Sequence, residues 1–557
     1  MKRQEPAARL LRGFALLVVA TTTAAPVQAA EDGLLEIGRR IYQEGVLPDG
    51  GPLLASRPEG LMLDGRYAAC VTCHRRSGMG SIEGLGKAAI LVPPVAGPVL
   101  FAPALFANSF LDDAHHYIPN ETWRRAMTRP AYDEATLAEA LRSGRNSAGT
   151  PLEAPMPLYD LAPDAAAGLA AYLRSLGSAP DPGVAEDALH VATVVTPDVD
   201  SEDAEAVLGV LRVWARTAAS AGKPWRLHEW RLSGPANSWS AQLDALYAEQ
   251  NVFAMLSGLG RSEWTPVHAF CEKQGVPCLL PSVDVVAAGD KGLYAVYYAT
   301  GVTLEARILA RYLEDEAPTV GGRVVHMYAD DAGRVAAEAF RADSRTGDIE
   351  SVIFRYHVTA PQAAIREVGA DDVLVLWLRR DEIAQLVAAA PEPLADSVYL
   401  SALLATPEHV DLPADWKRVS RFVTLFDDLG LQGEIARLRL ERWLEQNDLA
   451  VPANRRLQAD AYAASYLFNA AIGAIRKQEI RRPAVPLTRE HLLESLEDLV
   501  SKYSDGTRFV DTESHIAWYG RMSLGPGQRI AVRGGSIVEY ESPDSNRLVA
   551  VSDKIVP

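Results

Sequence analysis

The stretch His190-Val191-Ala192-Thr193-Val194-Val195 is an almost unbroken run of strand-forming residues, and a stretch with helical apolar spacing follows it over about 202–220. A strand that is apolar on both faces has to be covered on both faces, as in a parallel sheet flanked by helices. The same rhythm recurs downstream. Strand-like runs lie at Trp225–Trp230, Val252–Leu256, Val276–Leu280, Tyr294–Tyr298, Val324–Tyr328, Ser351–Tyr356, Val373–Leu378 and Phe422–Leu425, with helical patterns between most of them. This many βα units over residues 188–557 predict two parallel sheets, hence an α/β architecture of two lobes.

Upstream of that zone, Gly177-Ser178-Ala179-Pro180-Asp181-Pro182-Gly183 is rich in Pro, Gly and small polar residues, which marks a junction with residues 181–187 as linker. Residues 31–180 read as a separate, all-α unit. Its expected helices are Leu34–Gly45, Asp133–Ser143 and Asp164–Leu176, with Gly- and Pro-rich loops between them.

Residues 1–30 have the pattern of an export signal. Lys2, Arg3, Arg9 and Arg12 are basic, Phe14–Ala20 is apolar, and small residues lead to Val27-Gln28-Ala29-Ala30. The apolar run is too short for a good membrane span. The expected location is therefore the periplasm, without stable membrane insertion. The formal net charge of the 557 residues is -17, and removing the +3 carried by residues 1–30 leaves -20. Such a surface repels nucleic acid and suits a basic partner face.

The chain has four cysteines. Cys271 and Cys278 are either a disulfide or two buried thiols, and an oxidising compartment favours the disulfide. The other two lie in Cys70-Val71-Thr72-Cys73-His74. Two thiols at this spacing can form thioethers to the two haem vinyl groups, and the adjacent imidazole can ligate the iron. A redox Cys-x-x-Cys belongs at a strand-to-helix junction, and half of a zinc site needs a second ligand pair nearby. The sequence offers neither. One covalent haem c, on Cys70 and Cys73 with His74 as axial ligand, is the expectation. Sixth-ligand candidates are Met79, Met127 and Met156, with His115 and His116 as rivals.

Around this motif, residues 31–180 resemble a class I cytochrome c domain. The helix with Gly38 and Tyr42 is similar to that family's first helix, and Leu169-Ala170-Ala171-Tyr172-Leu173 to its last. Pro93-Pro94-Val95-Ala96-Gly97 resembles the loop after the haem motif. The resemblance implies that the Pro93 carbonyl accepts the His74 Nδ1 proton and that Met156, in Pro155-Met156-Pro157, is the axial methionine. It also implies an insertion near 100–130. With His/Met ligation the chemistry is outer-sphere electron transfer, and no paired carboxylates or catalytic triad accompany the motif.

Residues 188–557 resemble the type I periplasmic binding proteins, the leucine-binding-like receptors. The phrases that carry the likeness are Val252–Gly260, Cys271–Pro277, Tyr328–Arg334 and Asp460–Ala464. In parallel sheets ligands sit beyond the carboxyl ends of strands, where helix N-termini offer free N–H groups. Ser257, Arg261 and Ser262 are therefore candidates to hold a carboxylate, with Tyr328 and Asp330 facing them from the second lobe. Amino-acid receptors often have small hydroxylated residues where this chain reads Leu259-Gly260-Arg261-Ser262-Glu263-Trp264. The departure points to another small organic ligand, or to a cleft that binds none.

Three functions follow. The first is a periplasmic mono-haem electron-transfer protein with a solute-binding module. It is not an enzyme, and it would serve a redox partner, a periplasmic dehydrogenase or a membrane acceptor. The second is an ABC-transporter receptor for an amino acid or other small organic solute, working with a permease and carrying the haem as an accessory. The third is an enzyme that oxidises its bound ligand through the haem.

Overall fold

In a computed structural model of the chain the described residues are 25–57, 60–83, 90–104, 128–218, 223–286, 292–315, 323–343, 350–427, 429–449, 454–479, 485–504, 517–519 and 522–557. The chain separates into two compact units, with the boundary between Leu176 and Gly177. Residues 1–24, most of the expected export signal, lie outside the described residues.

The first unit is built on the crossing of its first and last helices, Ala25–Arg39 and Pro163–Ser175. Glycines let the backbones meet. A Cβ added at Gly38 would stand 2.1 Å from the Gly168 carbonyl oxygen, and one added at Gly168 would stand 2.5 Å from Ile37 Cγ2. Ile41 and Tyr42 then enter the core fully buried, and the Tyr42 and Tyr172 rings lie 5.4 Å apart. The helix Glu134–Ser143 begins one residue after its Asp133 cap, whose carboxylate accepts from Thr136 N at 2.8 Å, and it ends on Gly144 in the left-handed region.

The unit is not all-α as expected. Strand β1 (Leu54–Ser56) pairs antiparallel with β2 (Met62–Asp64), and β3 (Ser81–Glu83) with β4 (Ile90–Val92). These strands are three residues each, too short for an alternating pattern to stand out in the sequence.

The second unit contains two seven-stranded sheets. The first comprises β5 (Leu189–Val195), β6 (Trp225–Arg231), β7 (Ala254–Leu256), β8 (Leu259–Gly260), β9 (Cys278–Leu279), β10 (Ser282–Val283) and β11 (Ala295–Val296). Its order is β10-β8-β5-β7-β9-β11 with β6 also paired to β5, and every pairing is parallel. The second comprises β12 (Val324–Tyr328), β13 (Ser351–Arg355), β14 (Val373–Trp377), β15 (Ser397–Ser401), β16 (Ser420–Thr424), β17 (Ser536–Tyr540) and β18 (Leu548–Ala550). Its order is β13-β12-β14-β15-β16-β17-β18, parallel as far as β16 and antiparallel after it. Helices cover the faces, and β14, whose five residues are all buried, shows why its sequence is continuously apolar.

Residues 181–184, expected as linker, are instead part of the second unit. Asp181 N donates to Leu487 O at 3.2 Å, and His190 N donates to Gly183 O at 2.8 Å. Among the described residues no helix is long and apolar enough to cross a membrane.

Candidate functional site

In the first unit, Val71–His74 form a single helical turn after Cys70. This turn presents Cys70, Cys73 and His74 to a cavity of about 240 Å³, which Pro93, Met156 and Tyr159 also line. His74 is buried, and its Nδ1 lies 2.9 Å from Pro93 O. That bond assigns the Nδ1 proton to the carbonyl and leaves the Nε2 lone pair for the cavity. Burial also lowers the His74 pKa, so the ring is neutral at pH 7, the form in which imidazole ligates a metal.

The turn is braced on several sides. Ser81 Oγ donates to Cys73 O at 3.1 Å, Gly80 N to His74 O at 3.1 Å, and Tyr42 Oη to Arg75 O at 2.7 Å. Tyr159 Oη donates to Ala68 O at 2.9 Å, just ahead of the motif. Met156 packs half-buried against this unit's core. Met79 does not line the cavity. Met127, His115 and His116 lie outside the described residues, as does most of the expected insertion near 100–130.

Two thiols, an imidazole with one nitrogen already fixed, a thioether and apolar walls are the donor set for a covalently held haem. Burial pushes the Cys70 thiol up to about 12. No group of three or more His, Cys, Asp or Glu side chains able to hold a metal ion occurs among the described residues.

In the second unit strand order reverses beyond the carboxyl ends of β5 and β7 in one sheet and of β12 and β14 in the other, the place where parallel sheets carry ligand crevices. Ser257 follows β7. It is fully buried, has φ 46° and has no partner for its Oγ. A left-handed serine is uncommon, and a buried hydroxyl without a partner is costly.

Arg261, Ser262 and Asp330, expected to hold a ligand, have partners within the chain. Arg261 pairs with Asp200 and, at 2.8 Å, with Asp203. Ser262 gives its N–H (2.9 Å) and Oγ (2.5 Å) to Asp198 Oδ2. The carboxylate these two residues were expected to hold is thus supplied by the chain itself. Asp330 accepts from Gly333 N at 2.9 Å and from Arg379 Nε at 2.9 Å. Tyr328 ends β12 and packs half-buried against the main apolar core.

Arg379, which follows β14, was not anticipated. Its Nη2 also reaches Asp284 Oδ2 at 2.9 Å, and Asp284 follows β10 of the other sheet. One guanidinium therefore bridges the two lobes. The only sequence sign was an arginine directly after a buried strand. Cys271 and Cys278 form a disulfide with their Cα atoms 6.1 Å apart. It joins the end of the helix Thr265–Gln274 to β9.

No protein-family model matches the chain, and no curated protein sequence does. Among solved structures, one similar chain is a fatty acid ABC transporter substrate-binding protein from Thermomonospora curvata, 13% identical, covering 68% of this chain and 95% of its own, with TM-score 0.49. A leucine-binding protein from Thermotoga maritima is 14% identical and covers 66% of this chain and 99% of its own, with TM-score 0.47. An ABC-transporter solute-binding protein from Rhodopseudomonas palustris BisB5, in complex with 3,4-dihydroxybenzoic acid, is 12% identical and covers 67% and 98%, with TM-score 0.49. The two-lobed α/β architecture of the second unit stands on the strand orders above.

Proposed function

We propose that this chain is a periplasmic mono-haem c-type protein for electron transfer, fused to a two-lobed module for a small organic solute. The observation that carries the reading is one cavity lined by Cys70, Cys73, His74 and Met156, with His74 Nδ1 fixed on Pro93 O at 2.9 Å. When bound, haem supplies a one-electron carrier. The residues do the rest. Cys70 and Cys73 would anchor it covalently, and His74 and Met156 would hold the iron. The apolar walls exclude water, which together with the thioether favours the ferrous state. The electron partner would be a periplasmic dehydrogenase or a membrane acceptor.

The deciding experiment is expression with the c-type maturation machinery, followed by denaturing mass spectrometry and a pyridine haemochrome spectrum. One haem per chain, lost in a Cys70→Ser/Cys73→Ser variant, is the expected result. A wild-type chain without covalent haem overturns the reading.

A second reading, favoured by the buried, unpartnered Ser257 hydroxyl beyond the carboxyl end of β7, is a solute receptor for an ABC permease with the haem as accessory. Native mass spectrometry of protein isolated gently from the periplasm tests its solute-binding part. A retained small molecule supports it, and an empty chain counts against it.

A further inference from the structure

We propose that a second, larger cavity in the α/β unit takes an apolar-bodied organic carboxylate, and that Arg456 is the residue that recognises the carboxylate. The proposal rests on the solute-binding part of the reading above. The cavity has a volume of about 820 Å³ and lies beyond the carboxyl ends of β15 and β16, against the start of the helix Arg455–Glu479. Phe426, Leu440, Trp518 and Leu548 give it apolar walls. That volume and character suit a small ligand with an apolar body.

Among the described residues four arginines and three carboxylates line it, the carboxylates being Glu408, Asp427 and Glu434. All four arginines have ion-pair partners, three of them at 3.5 Å or less. Arg437 meets Glu441 at 3.0 Å, Arg455 meets the same carboxylate at 3.5 Å, and Arg547 meets Glu541 at 3.0 Å. Arg456 differs. Its side chain is 13% exposed, and its nearest carboxylate oxygen, on Asp460, is 4.0 Å away, beyond hydrogen-bonding distance.

The other acids near Arg456 are occupied. Asp460 accepts from Tyr519 Oη at 2.5 Å and from Ser282 Oγ at 2.8 Å. Asp284 accepts from Arg379 and Asp203 from Arg261. Glu305 accepts from Leu403 N at 3.0 Å. A guanidinium carries five N–H donors in a planar fork that matches a carboxylate. Its ion-pair partner, Asp460, stands too far away for a hydrogen bond, so the fork keeps donors to offer a ligand carboxylate in the cavity.

The test is calorimetric titration of the full chain with benzoate and hexanoate, and with benzamide and benzylamine as neutral and cationic counterparts. Wild type is expected to bind at least one carboxylate in a 1:1 ratio and at least about tenfold more tightly than benzamide, a charged pair of hydrogen bonds being lost in the amide. Arg456→Met should weaken carboxylate binding about tenfold or more and leave benzamide unchanged, with Arg456→Lys in between. If Arg456→Met does not fold, the benzoate-to-benzamide ratio on wild type decides. Equal binding of benzoate and benzamide, undiminished carboxylate binding by Arg456→Met, or no carboxylate binding by wild type overturns the proposal. So does a retained periplasmic solute without an acidic group, which would leave the solute-binding reading intact.

Discussion

Arg489 N donates to Asp181 Oδ2 at 2.6 Å, while the guanidinium of the same residue gathers the carbonyls of Pro182, Val252, Phe253, Gln274 and Gly275. One buried side chain thus fastens the first residues of the second unit to two helix-to-strand connections, the ones that lead into β7 and β9. Arg489→Met would leave several buried carbonyls unpaired, at a cost on the order of 3 kcal/mol. Urea unfolding should show the loss, and limited proteolysis should open a new cleavage site within residues 177–187. An unchanged midpoint and an intact chain would show that the clamp contributes nothing.

On the proposed haem reading, Met156→Ala should keep the covalent haem, whose attachment would depend on Cys70 and Cys73, and change its chemistry. Loss of the thioether is expected to lower the midpoint potential and to let the ferrous protein bind carbon monoxide. Redox titration and the carbon monoxide difference spectrum check both. Unchanged behaviour would move the sixth ligand to another residue.

Gly38→Val would push a side chain into the Gly168 carbonyl, which stands 2.1 Å from where a Cβ would be. The helices must separate, at a cost of about 1–3 kcal/mol. The measurement is the thermal unfolding midpoint, which should fall, with Gly38→Ala falling less. A Gly38→Val midpoint equal to that of wild type would mean the crossing can widen at no cost.

Glu305 is fully buried against Ser401 and Leu403 N, and burial pushes its carboxyl up to about 8. The folded chain keeps this proton to higher pH than the unfolded chain does. Stability is therefore highest below the ordinary carboxylate range and falls as pH rises from about 4.5 toward 8, by at most about 1.4 kcal/mol per unit. Glu305→Gln keeps an acceptor for Leu403 N and removes the titration. Denaturation at pH 5 and pH 8 should show a smaller difference for Glu305→Gln than for wild type. An identical difference in both proteins would assign the pH dependence to other groups.

Continuous apolar strands were legible from sequence because burial on both faces leaves an unbroken signature. Val324–Tyr328 was read with its observed ends, and Trp225–Trp230 and Val373–Leu378 within a residue at one end. The antiparallel edge β17 and β18 was missed. Ser536-Ile537-Val538-Glu539-Tyr540 mixes polar and apolar residues and follows a glycine pair, so nothing tied it to a sheet whose other strands end at Thr424.

The cavity that Cys70, Cys73 and His74 share was legible because those residue types stand at a fixed local spacing. The crevice was not, because its polar partners are far apart in sequence. Arg261 and Ser262 sit where a ligand group could lie, yet only the fold shows that Asp198, Asp200 and Asp203 come back to meet them. Arg456 carried no local sign at all, since the looseness of its pairing depends on Ser282 and Tyr519 holding Asp460 by hydrogen bonds.

A receptor that serves a permease has to signal whether it carries cargo, and its signal is the closing of one lobe on the other. The hold of Arg379 on Asp284 across the lobes and on Asp330 beside it gives this chain a fastening made of its own side chains. A hand that is already clasped looks the same full or empty. Two lobes fastened in this way would keep the same spacing whether or not a solute lies between them.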